Sequence, residues 1–183
     1  MYEDMHKRLK ELSLKEIIGY AIASEEAASS FYWVLVKVFD PNELVRHKFE
    51  SLAREEKLHK QTLLNLHVDL FGDRKYSVPD GLPLFESQVE VDTINNFIDA
   101  LEIAMQNEDN AQKVYKFLAR HHKQHRKLFN YLAQTEKSHY HTLKHEKAYL
   151  ENETSDEPGH GKLDPSEFYS TQPFFSHPDV TEK

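Results

Sequence analysis

The sequence predicts an all-α protein, an antiparallel four-helix bundle made of two repeated helical hairpins joined by a long crossover. Three observations carry this. Four long segments repeat apolar residues at helical spacing with few breakers inside them. Their connections run short, long, short, which suits an up-down bundle with one crossover. The second half of the chain also repeats residues of the first in register.

The segments follow from their punctuation. Ser13 with Glu16 three residues on reads as a capping box, which starts the first helix near Leu14. It runs to about Phe39, where Asp40-Pro41-Asn42 makes a short turn. The second runs from Glu43 to about Phe71 and stops at Gly72-Asp73. Arg74 to Glu90 holds Pro79, Gly81 and Pro83 with no helical period, and reads as the crossover. Asp92 is the expected N-cap of the third helix, from Thr93 to about His121. A polar turn, His122 to His125, leads into the fourth, from Arg126 to Glu151. The bundle is therefore assigned to residues 1–151, with an irregular tail at 152–183.

The repeat is specific. Setting Glu25 on Glu108 aligns Ala21 with Ala104, Ala28 with Ala111, Tyr32 with Tyr115 and Leu35 with Leu118. These steps of four and three residues trace one helix face. Setting Glu56 on Glu136 aligns Phe49 with Phe129, Leu52 with Leu132, Ala53 with Ala133, and His59 with His139. Each half thus carries Glu-x6-Tyr on its first helix and Glu-x-x-His on its second. An apolar stripe must repeat in any such bundle, but acids and a histidine inside that stripe need not.

Composition narrows the function classes. A net charge of −8 lacks the basic footprint of a nucleic-acid binder. No apolar run approaches the ~20 residues of a membrane span. Met1 to Lys10 is charged without an apolar core, so nothing signals secretion and a cytoplasmic location is expected. The absence of cysteine excludes disulfides, thiolate zinc sites and cysteine-ligated iron–sulfur centres.

The spacing carries chemistry. Residues three apart lie about 60° apart on a helix, so Glu56 with His59, and Glu136 with His139, can reach one ion each. The midpoint of Glu25 and Glu56 falls on the Asp40-Pro41 turn, and that of Glu108 and Glu136 on His122. Equal distance from a hairpin turn means equal height, so all four glutamates should meet in one layer. Ala28 and Ala111 leave room beside it. Four buried carboxylates without compensation are very costly. Two divalent ions would neutralise them, and the two histidines would complete the coordination. Carboxylate and imidazole ligands suit iron or manganese, and zinc can also bind. This is the donor pattern of di-iron and di-manganese carboxylate bundles.

On these residues the chain resembles the di-iron domain of the rubrerythrin family, within the ferritin-like superfamily. The resemblance covers about Leu14 to Leu150. It rests on SEEAASSFY and REEKLH in the first half and on NEDNAQKVY and QTEKSH in the second. It implies that Glu25, Glu56, His59, Glu108, Glu136 and His139 are metal ligands, with Glu56 and Glu136 bridging. It implies that Tyr32 and Tyr115 donate to carboxylates of the opposite half. It implies a centre of two irons that reacts with hydrogen peroxide or oxygen. The chain departs from the family in two ways. Many members carry a four-cysteine rubredoxin domain, and this chain has no cysteine, so its electrons should come from an external, rubredoxin-like donor. Typical members also have an extra glutamate one turn beyond the third-helix ligand, where this chain has Ala111.

The readings open at this level are a peroxide-reducing oxidoreductase, a ferroxidase or iron-binding protein, and a non-enzymatic bundle for assembly. Intact ligands in both halves count against the last. Glu26, Glu55, Lys57, Asp109 and Lys137 read as solvated or rim residues, and His121, His122 and His125 as a polar turn. His141 and His145 lie off the Glu136–His139 line and are expected to be exposed. Trp33 should face outward or into an interface. Phe168, Tyr169, Phe174 and Phe175 in the tail should pack on the bundle or on a second subunit, and a homodimer is expected.

Overall fold

The computed structural model describes residues 2–39, 43–80, 82 and 97–154. Among these are five α-helices and no strand: α1 (Tyr2–Glu11), α2 (Leu14–Phe39), α3 (Glu43–Phe71), α4 (Phe97–His121) and α5 (Arg126–Thr154). One 3-10 turn, Lys123–His125, links α4 to α5.

Local chemistry sets two of the boundaries. At the start of α2, the Ser13 hydroxyl and backbone N–H both donate to Glu16 Oε2, at 2.6 and 2.8 Å. The Glu16 N–H donates back to Ser13 Oγ at 3.3 Å, closing the capping box. At the end of α3, Gly72 takes φ 72° and its N–H caps the Val68 carbonyl at 2.8 Å. A residue with a Cβ would be strained there. The expected turn at 40–42, the Asp92 cap and most of the crossover lie outside the described residues. Helix α5 continues to Thr154, three residues past the expected end at Glu151.

Helix α1 was not expected from the sequence. Its ten residues are mostly charged, too short a window for a helical period to stand out. What anchors it is tertiary: Leu9 is fully buried against Ile17, Ile18 and their neighbours. Arg8 and Lys10 in its last turn suit the negative end of the helix dipole.

The bundle is antiparallel throughout its core. Helices α2 and α3 form one hairpin and α4 and α5 the other. Across the hairpins, Tyr32 meets Glu108 and Tyr115 meets Glu25, so α2 and α4 run in opposite directions. His59 meets Glu136 and His139 meets Glu56, so α3 and α5 do the same. The two hairpins are thus related by an approximate two-fold axis.

The apolar core is divided. One cluster contains Ile18, Ile22, Leu63, Leu118, Phe129 and Leu132. The other contains Phe31, Leu35, Phe49, Leu52, Leu101 and Leu143. Each cluster takes residues from all four long helices, and the polar layer described below lies between the two. Phe49 and Phe129, paired by the repeat, are both fully buried. Truncating either to alanine should cost about 3–5 kcal/mol.

The described part of the crossover is pinned to α2. A Cβ on Gly19 would stand 2.3 Å from the Ser77 carbonyl oxygen, so the strap passes over a notch that only glycine leaves. Tyr76 then donates to Glu26 Oε2 at 3.2 Å, and Lys60 pairs with the same carboxylate at 2.5 Å.

Candidate metal centre

The six residues singled out by spacing converge in the middle of the bundle. Glu25, Glu56 and Glu136 are 1% exposed, Glu108 and His139 3%, and His59 4%. Glu25 comes from α2, Glu56 and His59 from α3, Glu108 from α4, and Glu136 and His139 from α5. In each hairpin the equal-height rule holds, so no helix needs to bend to deliver its ligand.

The donor atoms fall into two groups of four that share two members. One atom each of Glu25, Glu56, His59 and Glu136 lie within 4.8 Å of one another, and so do atoms of Glu56, Glu108, Glu136 and His139. Glu56 and Glu136 belong to both, so each could serve either of two ions. Both histidines face the cluster through Nδ1. His59 Nδ1 is 3.0 Å from Glu56 Oε2, 3.0 Å from Glu136 Oε1 and 3.6 Å from Glu25 Oε2. His139 Nδ1 is 2.7 Å from Glu56 Oε1, 3.4 Å from Glu136 Oε2 and 3.6 Å from Glu108 Oε2. The imidazole rings stack at 5.7 Å with 19° between planes.

Close approach here is not the same as hydrogen bonding. Glu56 Oε1, Glu136 Oε1 and His139 Nδ1 are buried without a hydrogen-bond partner, although the first and last are 2.7 Å apart. Buried polar atoms left in this state are costly unless something else satisfies them. A divalent ion in each group of four would do so, so the residues present fit a dinuclear metal site.

The ionisation pattern agrees. Burial, with repulsion from Glu136 and Glu56, pushes the Glu25 carboxyl well above the usual range. Burial and the charge of Glu56 do the same to Glu108. Burial also opposes charge on the other three groups, but there the partners win. The His139 and His59 imidazoles beside it hold Glu56 low, and the surrounding carboxylates hold both imidazoles far above the ordinary histidine value.

Tyr32 and Tyr115, both fully buried, reach across the two-fold axis as the repeat suggests. The Tyr32 hydroxyl donates to Glu108 Oε1 and that of Tyr115 to Glu25 Oε1. Burial, followed by the charges of Glu108 and Glu56, raises the Tyr32 phenol further and keeps it a donor. On the α2–α4 side a small cavity, sized for water-like molecules, opens onto the carboxylates. It is lined by all four glutamates, Ala28, Ala111 and Tyr115, and by neither histidine. The histidines therefore close one side of the centre and the cavity opens the other.

Two residues, Glu55 and Trp33, depart from their sequence readings. Glu55 is not simply a rim acid: its side chain is 44% exposed, yet Oε2 accepts from His139 Nε2 at 3.1 Å. That contact holds its carboxyl below the usual range. Trp33 is half-buried and packs against the second apolar cluster. Glu26 is an exposed ion-pair member, Asp109 pairs with Lys113, and Lys57 and Lys137 are exposed. His141 and His145 lie on the exposed face. His121 ends α4, His122 and His125 lie in the α4–α5 turn, and the described residues hold no metal-competent cluster there. The tail aromatics lie outside the described residues.

An all-α bundle with a buried Glu4His2 layer, arranged in two groups that share two carboxylates, defines the class of dinuclear carboxylate proteins. Comparison with known proteins narrows this. The Rubrerythrin family profile matches residues 16–147, and the chain belongs to that family. A solved structure of a hypothetical protein from Pyrococcus furiosus is similar at 30% identity and a TM-score of 0.69, covering 80% of this chain and 95% of that one. An uncharacterised conserved protein from Magnetospirillum magnetotacticum shares the fold at 20% identity and a TM-score of 0.58, covering 82% of this chain and all of that one. No curated protein matches the chain. No described helix is long and apolar enough to cross a membrane.

Proposed function

We propose that this chain is a di-iron oxidoreductase that reduces hydrogen peroxide to water with electrons from an external, rubredoxin-like donor. Its ligands are Glu25, Glu56, His59, Glu108, Glu136 and His139. The observation that supports the reading is the small cavity against the carboxylate layer, lined by all four glutamates and by neither histidine, which has room for a molecule of about peroxide size. The balance is one peroxide, two electrons and two protons to two waters. Held by these ligands, a pair of irons would supply the two electrons that the reduction needs. The chain's own residues do the rest. Glu56 and Glu136 hold the two positions together, and His59 and His139 seal the far side. Tyr32 and Tyr115 keep a proton at Glu108 and Glu25, from which it can be shared with the reacting oxygen. Manganese or zinc fits the same donors, and iron is the metal under which the redox reading holds.

A second reading, ferroxidase activity with iron sequestration, is supported by Ala111, which stands where typical members have a further glutamate. The expected setting is a cytoplasmic homodimer. Metal analysis of protein purified without added metal, with an optical spectrum, tests the centre itself. Stopped-flow mixing of anaerobic di-ferrous protein with peroxide and with oxygen at equal concentration tests the reaction. Faster reaction with peroxide is expected. Faster reaction with oxygen, with many irons retained per chain, selects the ferroxidase reading.

A further inference from the structure

The repeat that builds the centre breaks at one place next to it. Setting Glu56 on Glu136 puts Thr135 opposite Glu55. Glu55 lies one residue before its ligand on α3 and reaches across to α5, where its Oε2 accepts from His139 Nε2 at 3.1 Å. Its other oxygen accepts from Ser51 Oγ at 3.1 Å, which fixes the carboxylate's orientation. Thr135 does nothing equivalent for His59. Its hydroxyl donates to the Tyr131 carbonyl of its own helix at 3.1 Å.

We propose that Glu55 is a positioning residue for His139, and that it makes the two metal positions unequal, with the one served by His139 binding more tightly. This rests on the dinuclear reading above. The physical case is the orientation of the ring. A proton held on Nε2 by a carboxylate leaves the Nδ1 lone pair free for an ion and makes that nitrogen more basic. The imidazole then arrives oriented, and ordering it costs less on metal binding. His59 faces its own group of carboxylates through Nδ1 in the same way, but the described residues put no carboxylate on its outer nitrogen. The asymmetry belongs to this chain's sequence, because the ligands themselves are matched pair by pair.

Outer partners of this kind change metal affinity by roughly 10- to 100-fold. The test is titration of the metal-free chain with cobalt(II), whose visible bands report coordination, against a competing chelator. The wild-type chain should take up two ions in two steps separated by about that factor. Glu55→Ala should weaken the tighter step by about 10- to 100-fold and leave the weaker one within a few-fold. Glu55→Gln keeps a neutral acceptor and should recover part of the loss. Thr135→Glu should tighten the weaker step, a gain that general damage to the fold cannot produce. Urea melts of the metal-free variants check that the bundle is intact. Equal weakening of both steps in Glu55→Ala, or no change in either, overturns the proposal. A wild-type chain that takes up two ions with unchanged variants overturns this inference alone. A wild-type chain that cannot take up two ions overturns the dinuclear reading and the inference with it.

Discussion

Tyr115→Phe is the most direct probe of the carboxylate layer, because it removes one hydroxyl and keeps the buried ring. The lost group is the donor to Glu25 Oε1. In the metal-free chain, burial and the neighbouring acids push Glu25 toward its neutral form. A hydrogen bond to a neutral carboxyl contributes about 0.5–1.5 kcal/mol. An ion in the adjacent group of four requires Glu25 to be ionised, and a bond to a charged acceptor contributes about 1.5–3 kcal/mol. The variant should therefore lose about 1 kcal/mol of stability without metal and about 1–2 kcal/mol more with it. That difference appears as a fall of about 5- to 30-fold in metal affinity. Urea denaturation of the metal-free protein measures the first quantity, and competition with a chelator the second. Tyr32→Phe should match it, since Tyr32 serves Glu108 in the mirrored position. Unchanged or improved metal affinity in Tyr115→Phe would refute the idea that the tyrosine supports an ionised ligand.

Other outcomes follow from the same geometry. Metal-free protein should lose thermal stability toward alkaline pH. The raised imidazoles of His59 and His139 stabilise the fold below the unfolded value of about 6.5, and that contribution disappears as pH climbs through their folded values. The raised carboxyls of Glu25 and Glu108 act with the same sign. Metal affinity should run the other way, falling at low pH because ligating imidazole must be neutral. A metal-induced rise in melting temperature that is flat with pH would contradict this. A metal-loaded crystal structure should show two ions roughly 3.5–4 Å apart, bridged by Glu56 and Glu136. His59→Ala and His139→Ala should each lose at least one of them, while His122→Ala in the turn keeps both. Gly19→Ala should destabilise the protein by about 1–3 kcal/mol, because the Ser77 backbone cannot rotate out of the way. A melting temperature equal to wild type would show that the crossover shifts freely.

Much of this centre was legible in the chain because its chemistry is local and doubled. Glu-x-x-His places two ligands on one face by helix geometry alone, and a second copy with matched partner glutamates removes chance as an explanation. The capping box at Ser13 and the stop at Gly72 are equally local, since each is a contact within four residues. The short α1 was not legible. Only the burial of Leu9 on a distant core shows why those charged residues are helical.

The sequence by itself determined the four long helices, the two-fold repeat and the layer in which six ligands meet, because helical period and hairpin height are properties of spacing. Only the tertiary structure decided how the halves face each other. The antiparallel register of α3 against α5 makes Glu56 and Glu136 common to both groups and brings Glu55 to the outer nitrogen of His139. The register of α2 against α4 carries each tyrosine to the other half's glutamate and leaves the cavity open on that side. Such contacts join residues 76 to 90 positions apart for the tyrosines and 84 for Glu55 and His139. Periodicity within one helix says nothing about them. They are set by how the apolar clusters above and below the carboxylates lock the two hairpins together.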